Sequence, residues 1–489
     1  MINYIDKQGT FQIRNPETTN YLYFPLANES GIMSCITPNL AGDSKIGQHH
    51  FWMEPVSSEN LHNNKGTRNF WLNIEGYGPW SATGVSPRQE MALFTDKKEE
   101  TMVEAGPMWH KLIRTNKDLK IRSTITSFVP SNGDSLELTE LVITNESSKA
   151  IKFYSTAAVP VYGRSADNIR DHRHVTSLLH RIKTVDNGVI VNPTMNFDER
   201  GHQKNQVMYG FFGQSNDLVD IEGFYPTVAT YIGNGGSLEN PEAIMTDKIK
   251  PVEAGYEING YEALGGIRFE ETTIEPGEEK SFYLALAYGE DEDKLRKISN
   301  KYLSKIDFNK ALEETKRYWK NKINVRFETA NHNFNQWMYW VTFQPMLRRI
   351  YGCSFLPHHD YGKGGRGWRD LWQDCLALIM MNPTGVREML VNNFAGVRID
   401  GTNATIIGSK PGEFIADRNN ITRVWMDHGF WPFITTKLYI DQTGDYELLL
   451  EEKEYFKDGQ VHRGEKKTPD WEIDKDGLLR RKEGQVYTG

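Results

Sequence analysis

The pattern of apolar and polar positions divides the chain into a β-rich first part and a helical second part. Before Glu292, short runs of alternating β-branched, aromatic and polar residues are separated by polar turns, as in 121–134, 136–163 and 272–291. Many short strands with regular turn signals are typical of an antiparallel β-sandwich. We therefore predict a large sandwich over residues 1–291.

After residue 291 the apolar residues recur at helical spacing. Leu295, Ile298, Tyr302 and Ile306 follow this spacing, and residues 292–328 are expected to form a helical linker. Further helix pairs joined by short polar turns then predict part of an (α/α)6 barrel over 329–489. The fold class is thus multidomain β + α. The last segment is too polar to close a core, so we expect the barrel to be truncated.

Two segments of the helical part predict particular helices. The stretch "NFNQWMYWVTFQPMLRRI" has aromatic residues on more than one side, which predicts a buried helix. The stretch that begins "ITRVWMDHGFWPF" predicts two helices, with Asp427 and His428 inside the first. This helix should stop at Thr443-Gly444, and Asp445 should cap the next one.

Composition and charge exclude several classes of function. The net charge is −8 without a basic stripe, which argues against nucleic acid as a partner. The three cysteines form no CxxC pair, so a thiolate zinc site is not expected and a reducing compartment fits. No signal peptide or membrane-length apolar run is visible. We expect a cytoplasmic protein without a membrane partner.

The stretch "GKGGRGWRDLWQDC" (362–375) concentrates glycine, tryptophan and charge. It lacks the Gly-Lys-Ser/Thr ending of a phosphate-binding loop. In a helix, Arg369 and Gln373 would share one face, and Asp370 and Asp374 would share another. Asp370 would lie at the helix start, where the helix dipole favours a carboxylate. Aromatic faces stack on sugar rings, and charged groups bind their hydroxyls. We interpret the stretch as a sugar site, the alternative being a capping aspartate with a surface ion pair.

Other polar segments allow both a functional and a structural interpretation. The Gly-rich segment 392–420 is long for a connector. Either it is a solvated loop or some of its polar residues face a ligand, the candidates being Asp400, Asn403, Glu413, Asp417 and Arg418. Asp427 and His428 either line the hole of the barrel or form a satisfied core contact. His358-His359-Asp360 lacks a third ligand at a known spacing, so we predict no metal.

Several motifs occur together in one chain order. They are an opening with "LYFPLANESGIMSCITPNL" and "NFWLNIEGYGPWSATG", the Gly-rich lead into "GWRDLWQD", then "MDHGFWP" and "QTGDYELLLEE". In these motifs the chain resembles the inverting disaccharide phosphorylases of glycoside hydrolase family 94. Their wording is most similar to laminaribiose and related β-1,3-glucoside phosphorylases.

The resemblance implies a β-sandwich, a helical linker, an (α/α)6 barrel and a small C-terminal β domain, of which this sequence holds the first two and part of the third. It also implies that inorganic phosphate cleaves a β-glucosyl disaccharide, laminaribiose-like or cellobiose-like, with inversion. The products are α-glucose 1-phosphate and a free sugar. Phosphate is a co-substrate and no cofactor is implied. The family is often homodimeric, so we expect a homodimer.

The resemblance also assigns residues. Asp370 matches the family's aspartate that binds hydroxyls of the cleaved glucosyl unit. Lys363 or Arg366 is expected to replace a family arginine, because Gly364 stands at its place. The other residues expected at the sugar are Trp368, Arg369, Gln373, Asp374, Asp427 and His428. Arg348 and Arg349 are the candidates for phosphate binding.

The family's general acid lies in an Asp-Trp-Asn stretch that this sequence lacks. We therefore expect the acid beyond Gly489 and this chain alone to be inactive. Two alternatives stay open. One is a carbohydrate-binding fragment without catalysis. The other is an inverting hydrolase on the same toroid, which would use Asp370 with Asp417 or Asp427 as opposed carboxylates.

Overall fold

The computed structural model describes residues 2–18, 22–47, 49–57, 68–198, 201–216, 219–246, 248–351, 367–399, 401–404, 406–407, 411–415, 426–457, 471–473 and 479–481. Its helices are α1 (Pro87–Ala92), α2 (Arg173–Ser177), α3 (Val228–Ile232), α4 (Glu242–Met245), α5 (Glu292–Asn300), α6 (Lys305–Lys322), α7 (His332–Tyr351), α8 (Trp368–Met381), α9 (Val386–Phe394) and α10 (Phe430–Thr443). Short 3-10 turns cover Pro16–Thr18, Ala166–Arg170 and Tyr446–Leu450.

The strands are, in chain order, β1 (Asn3–Tyr4), β2 (Phe11–Arg14), β3 (Phe24–Ala27), β4 (Met33–Ile36), β5 (Gly42–Lys45), β6 (Asn69–Ile74), β7 (Gly78–Ser81), β8 (Glu100–Gly106), β9 (Trp109–Asn116), β10 (Ile121–Phe128), β11 (Leu136–Asn145), β12 (Ile151–Val161), β13 (His180–Val185), β14 (Gly188–Pro193), β15 (Met195–Asp198), β16 (Gly201–Lys204), β17 (Met208–Ser215), β18 (Ile221–Thr227), β19 (Glu257–Asn259), β20 (Ala263–Phe269), β21 (Thr272–Ile274), β22 (Glu279–Gly289), β23 (Ile406–Ile407), β24 (Phe414–Ile415), β25 (Trp471–Ile473) and β26 (Leu479–Arg481).

The largest sheet in the described part of the chain has eleven strands in the order β1-β2-β8-β9-β10-β11-β22-β17-β14-β13-β19. All neighbouring strands pair antiparallel. The alternation seen in the sequence sets the register, which places Ile125 opposite Leu141 with both side chains buried. The central strands β11 and β22 have ten and eleven residues, whereas the edge strands β1 and β19 have two and three.

A second antiparallel sheet packs against this one through aromatic side chains. Its order is β18-β20-β12-β6-β7, and β21 pairs with β12. Phe70 of β6 lies 5.3 Å, ring to ring, from Phe282 of the large sheet, and Phe269 of β20 lies 4.8 Å from the same ring. Burial of each such side chain contributes roughly 1.5–3 kcal/mol. The sandwich expected from the alternating pattern is present, and its core lies between these two sheets.

One ion pair is enclosed in the sandwich. Arg68 and Glu137 are 5% and 0% exposed, and Arg68 Nε lies 2.6 Å from Glu137 Oε1. The Arg68 Nη2 atom donates to Glu137 Oε2 at 2.9 Å and to the carbonyl of Asp43 at 3.0 Å, and Nη1 donates to the carbonyl of Leu40 at 3.3 Å. Both charges are therefore compensated without water.

Helices α5 and α6 pack on the other face of the large sheet. Asp291 caps α5 by accepting from the backbone N–H of Lys294 at 2.7 Å. Leu295 and Tyr302 are buried in a cluster with side chains of the sheet, but Ile306 is 80% exposed. The sequence analysis placed Ile306 at the same helical spacing as Leu295 and Tyr302. Ile306 is exposed because α5 ends at Asn300 and the spacing does not continue into the separate helix α6.

The chain divides into two compact units. The first contains residues 2–322 and 326–341, and the second contains 323–325 and the described residues from 342 onward. The predicted domain boundaries at 291 and 328 stay predictions. Within the second unit, α8 packs against both α9 and α10. Among the described helices, none combines the length and apolarity that crossing a membrane requires.

Helix α7 covers the segment predicted to be a helix, and it accommodates Pro345 in its interior. The predicted burial of this helix holds for only part of it. Phe334 and Trp337 are 38% and 56% exposed, whereas Phe343 and Met346 are buried. An aromatic residue near a helix start can remain at the surface, since burial depends on packing partners that periodicity does not identify.

Candidate active site

The first turn of α8 carries Asp370, the residue expected to bind sugar hydroxyls. The helix begins at Trp368 after Gly367, and Asp370 Oδ2 accepts the backbone N–H of Gly367 at 3.1 Å. A carboxylate at this position satisfies an unpaired N–H and interacts favourably with the helix dipole. Asp370 is half-buried, so it combines a capping role with access to a ligand.

The two tryptophans of this turn belong to the core of the helical part. Trp368 and Trp372 are 2% and 0% exposed, and their rings lie 5.6 Å apart, edge to face. Trp368 also packs on Phe414, and Trp372 packs on Phe394. Trp368 is therefore part of the packing at the start of α8, and its contact with the sugar stays a prediction.

Asp427 and His428 lie in a turn rather than inside a helix. Helix α10 begins at Phe430, and the carbonyl of Asp427 accepts the N–H groups of Phe430 and Trp431 at 3.1 and 3.3 Å. Pro432 has no N–H to donate, which suits the first turn of a helix and not its interior. The predicted position of these two residues is thus corrected, whereas the predicted helix end at Thr443-Gly444 is confirmed, with Gly444 left-handed at φ 71°.

The segment after this helix differs from the prediction in length. Asp445 is a cap, as expected, and its Oδ1 accepts the backbone N–H of Leu448 at 3.2 Å. It caps a short 3-10 helix, Tyr446–Leu450, and not a second α-helix.

The turn before α10 is joined to the start of α8 by an ion pair. Arg369 Nε lies 2.6 Å from Asp427 Oδ2, and the indole N–H of Trp431 donates to the same oxygen at 3.0 Å. Hydrogen bonding from Trp431, together with the Arg369 charge, lowers the pKa of Asp427. The carboxylate of Asp427 is therefore ionised at neutral pH, and Arg369 is held by its Nε edge. Sequence reasoning overlooked Trp431, although its spacing of four from Asp427 was visible.

His428 connects the same two segments through its backbone and its ring. The indole N–H of Trp368 donates to the His428 carbonyl at 2.9 Å. Asn403 Nδ2 lies 3.1 Å from His428 Nδ1. Burial lowers the pKa of His428, which is 7% exposed, so the imidazole is neutral at pH 7. His428 thus stabilises the turn that carries Asp427.

The remaining candidate residues in the described part of the chain are more enclosed or donate hydrogen bonds to backbone carbonyls. Asp374 is 0% exposed, and its Oδ1 lies 3.8 Å from Nη1 of Arg348. Arg349 donates to the carbonyls of Asn382 and Thr384 at 3.2 and 2.7 Å, where α8 ends. Gln373 is half-buried. Asp374 is enclosed, and its contact with the sugar stays a prediction. Phosphate binding by the two arginines stays a prediction.

Several predicted residues lie outside the described part of the chain. They are Lys363 and Arg366, the segment His358-His359-Asp360, and Asp400, Asp417 and Arg418. Among the described residues, no group of three or more His, Cys, Asp or Glu side chains could hold a metal ion. The site therefore consists, where the structure describes it, of Asp370, Arg369 and Asp427 around the start of two helices.

Comparisons with known proteins place this arrangement in a class. The family model "Glycosyl hydrolase 94, supersandwich domain" matches residues 47–305, and "Glycosyl hydrolase 94 superfamily, catalytic domain" matches residues 318–475. A solved structure titled putative kojibiose phosphorylase, from the human microbiome, has a TM-score of 0.51 at 10% identity and covers 91% of this chain and 58% of its own. The likeness is one of fold, a β-sandwich followed by a helical domain, and this confirms the predicted fold class.

Two curated relatives are similar over long stretches. The cyclic beta-(1,2)-glucan synthase NdvB of Rhizobium meliloti (strain 1021) is 22% identical over 85% of this chain, and the solabiose phosphorylase of Paenibacillus borealis is 22% identical over 67%. The chain spans 13% and 38% of their respective lengths. Since the supersandwich match alone covers more than half of the sequence, the chain belongs to glycoside hydrolase family 94.

Proposed function

We propose that the protein catalyses inverting phosphorolysis of a β-glucosyl disaccharide. The observation that carries this proposal is the half-buried Asp370 at the start of α8, inside the segment matched by the catalytic-domain family. Arg369 precedes Asp370 in the chain and is paired with Asp427, and these two side chains would supply further groups for binding hydroxyls. Two of the similar proteins are phosphorylases by name, which supports the choice of reaction.

In the proposed reaction a phosphate oxygen attacks the anomeric carbon from the face opposite the leaving sugar. The new C–O bond to phosphate forms as the glycosidic C–O bond breaks, and a general acid protonates the departing oxygen. An inverting hydrolase needs a base to activate water. Phosphate is already an anionic nucleophile, so a single acid suffices. Asp370 would hold hydroxyls of the glucosyl unit, and the acid would come from outside the described residues.

The proposed disaccharide is laminaribiose-like or cellobiose-like. The motif wording makes a β-1,3-linked glucoside the first compound to test, and the names of the relatives add solabiose and kojibiose to the panel. The same proposal includes a cytoplasmic homodimer, which cell fractionation and sedimentation would test.

The experiment uses the protein expressed from its full natural coding sequence. It is incubated with each disaccharide, with and without inorganic phosphate, and α-glucose 1-phosphate and free glucose are quantified. We expect α-glucose 1-phosphate only when phosphate is present. Glucose release at equal rates without phosphate would instead identify a hydrolase, and binding without turnover would identify a carbohydrate-binding protein.

A further inference from the structure

The first compact unit contains an open pocket whose walls come from four parts of the chain. They are the turn between β1 and β2, the strands β8 and β9 with their connection, the second half of α6, and α7. The pocket has a volume of about 220 Å³, several times the roughly 30 Å³ that one water molecule occupies in the liquid. Every lining residue belongs to this unit, whereas Asp370 belongs to the second. Small-molecule sites are concave, so the chemistry of the lining decides what this pocket can hold.

The β1–β2 turn that forms one wall is held in place by the protein itself. Asp6 Oδ1 accepts the backbone N–H of Thr10 at 3.0 Å. The N–H of Gly9 donates to Gln336 Oε1 at 2.9 Å, and the indole N–H of Trp340 donates to the Gly9 carbonyl at 2.7 Å. Gly9 has a φ of 74°, a conformation that glycine adopts easily. The wall is therefore preformed, which lowers the entropic cost of binding a ligand.

Two nearly buried polar side chains line the pocket without a hydrogen-bond partner in the described chain. Thr10 and Trp109 are 8% and 6% exposed. Among the described residues, none bonds to the Thr10 hydroxyl and none accepts the Trp109 indole N–H. Lys316 Nζ lies 4.6 Å from the centre of the Trp109 ring, so the ring offers its N–H and not an open face on that side. Because buried polar groups are usually satisfied, these two indicate a polar occupant.

Two charged residues of the lining are already paired. Glu104 Oε2 accepts from Gln12 Nε2 at 2.8 Å, and Glu104 Oε1 accepts from Lys111 Nζ at 3.3 Å. Lys316 Nζ donates to Glu313 Oε1 at 2.8 Å. These residues need no ligand to compensate their charge.

Asp6 and Lys320 supply the other charges of the lining. Within the described ranges, neither Asp6 Oδ2 nor the half-buried Lys320 has a hydrogen-bond or ion-pair partner. One unpaired group of each sign favours neither an anion nor a cation. A sugar fits, because each hydroxyl can accept from an ammonium group or an N–H and donate to a carboxylate. Apolar surface that can cover the C–H groups of a sugar ring comes from Ile5, Pro107 and Tyr339.

We propose that this pocket binds a single sugar ring through Asp6, Thr10, Trp109 and Lys320, as a second saccharide site in the sandwich unit. Asp6 accepts from a sugar hydroxyl, and Lys320 and the Trp109 N–H donate to sugar oxygens. Binding there requires neither turnover nor a residue of α8, so the site is independent of the reaction proposed above.

Hydrogen–deuterium exchange in the full natural protein tests the site, because it resolves which backbone segments a ligand protects. The probes are glucose, galactose and mannose, with inorganic phosphate and glycine as charged alternatives. At least one sugar should slow exchange, with a saturable dose dependence, in peptides that cover 5–10 and 316–320. Any protection near Asp370 is followed separately in peptides from α8.

Substitutions assign this protection to the pocket. Lys320→Ala removes one charged hydrogen bond and should raise the Kd for the protecting sugar about 10-fold or more. Thr10→Val keeps the shape and the backbone N–H bonded to Asp6, and it should raise this Kd about 3- to 10-fold. Lys310→Ala is the matched control. Lys310 is exposed on the same helix as Lys320 and does not line the pocket, so the Kd should not change.

Three results would overturn the inference. The first is that none of the three sugars protects these peptides. The second is protection by phosphate or glycine without protection by a sugar, which would identify an ion site. The third is an equal loss of binding in Lys310→Ala and Lys320→Ala. If Thr10→Val fails to fold, as judged by circular dichroism, Lys320→Ala still decides, since Lys320 is only half-buried.

Discussion

The sandwich and the helical part each contain an arginine–carboxylate pair, and the two pairs have opposite character. Arg68 and Glu137 are enclosed, with every arm of the guanidinium used by protein oxygens. Arg369 and Asp427 are 44% and 35% exposed, and the described structure uses only one edge of that guanidinium. The same two chemical groups thus serve stability in the sandwich and remain available to a ligand in the helical part.

The largest effect is expected from breaking the enclosed pair. Arg68→Met leaves Glu137 buried without its partner, which should lower the free energy of unfolding by about 3–5 kcal/mol. Urea denaturation followed by tryptophan fluorescence measures this change. Adding Glu137→Leu to the same variant removes the stranded charge and should recover most of the loss. If the double variant is no more stable than Arg68→Met, the charge pair is not the cause.

A substitution at the start of α8 should change the free energy of unfolding less than Arg68→Met does, but it should affect function directly. Asp370→Asn removes the charge that we propose binds sugar hydroxyls. It should reduce kcat/KM about 100-fold or more, whereas urea stability should change little. Asparagine keeps an oxygen that can accept from Gly367, so the cap survives. Phosphorolysis rates near those of the wild-type protein would remove Asp370 from the site.

Changing the pH should affect the sandwich before it affects the open pair. Burial lowers the pKa of His110 and of His180 to about 3, and that of His50 to about 4. Unfolded histidines titrate near 6.5, so below this pH the unfolded chain binds protons that the native chain excludes, and stability falls. The Trp431 hydrogen bond and the Arg369 charge hold the pKa of Asp427 below its usual value, so its carboxylate is still charged where unfolded histidines begin to bind protons.

His110→Phe tests this difference. His110 is fully buried and packs on Phe24 at 4.6 Å, and neither ring nitrogen has a hydrogen-bond partner among the described residues. At about pH 4.5 the wild-type histidine should cost roughly 2–3 kcal/mol relative to pH 7, and the variant should lose this cost. Urea midpoints at the two pH values give the result. An unchanged pH dependence in the variant would assign the acid sensitivity to other groups.

The sequence predicted the architecture better than it predicted the contacts of the site. Alternation and turn signals are sufficient to predict the strands. The helix end at Gly444 could also be predicted, because glycine adopts the left-handed backbone conformation easily. The burial of Trp368 could not be predicted from the sequence. Periodicity shows that a helix has an apolar side, but the elements that cover it are distant in sequence, as Phe414 is from Trp368.

The start of α10 has a local signal in the sequence, which is Pro432. Proline is favoured in the first turn of a helix and disfavoured in its interior, so Pro432 favoured a helix that begins shortly before it. The pairing of Arg369 with Asp427 had no such signal, since it depends on how α8 packs against α10. Electrostatic partners that are remote in sequence emerge only with the tertiary structure.

The unequal strand lengths of the large sheet have a consequence for solubility. Its interior strands are long, but its two edge strands are short. The edge strands β1 and β19 have only two and three residues that could pair with a neighbouring molecule. An exposed strand edge is a template for unwanted pairing between molecules, and shortening it is a common protection. The sheet can therefore span eleven strands and still give intermolecular aggregation little backbone on which to start.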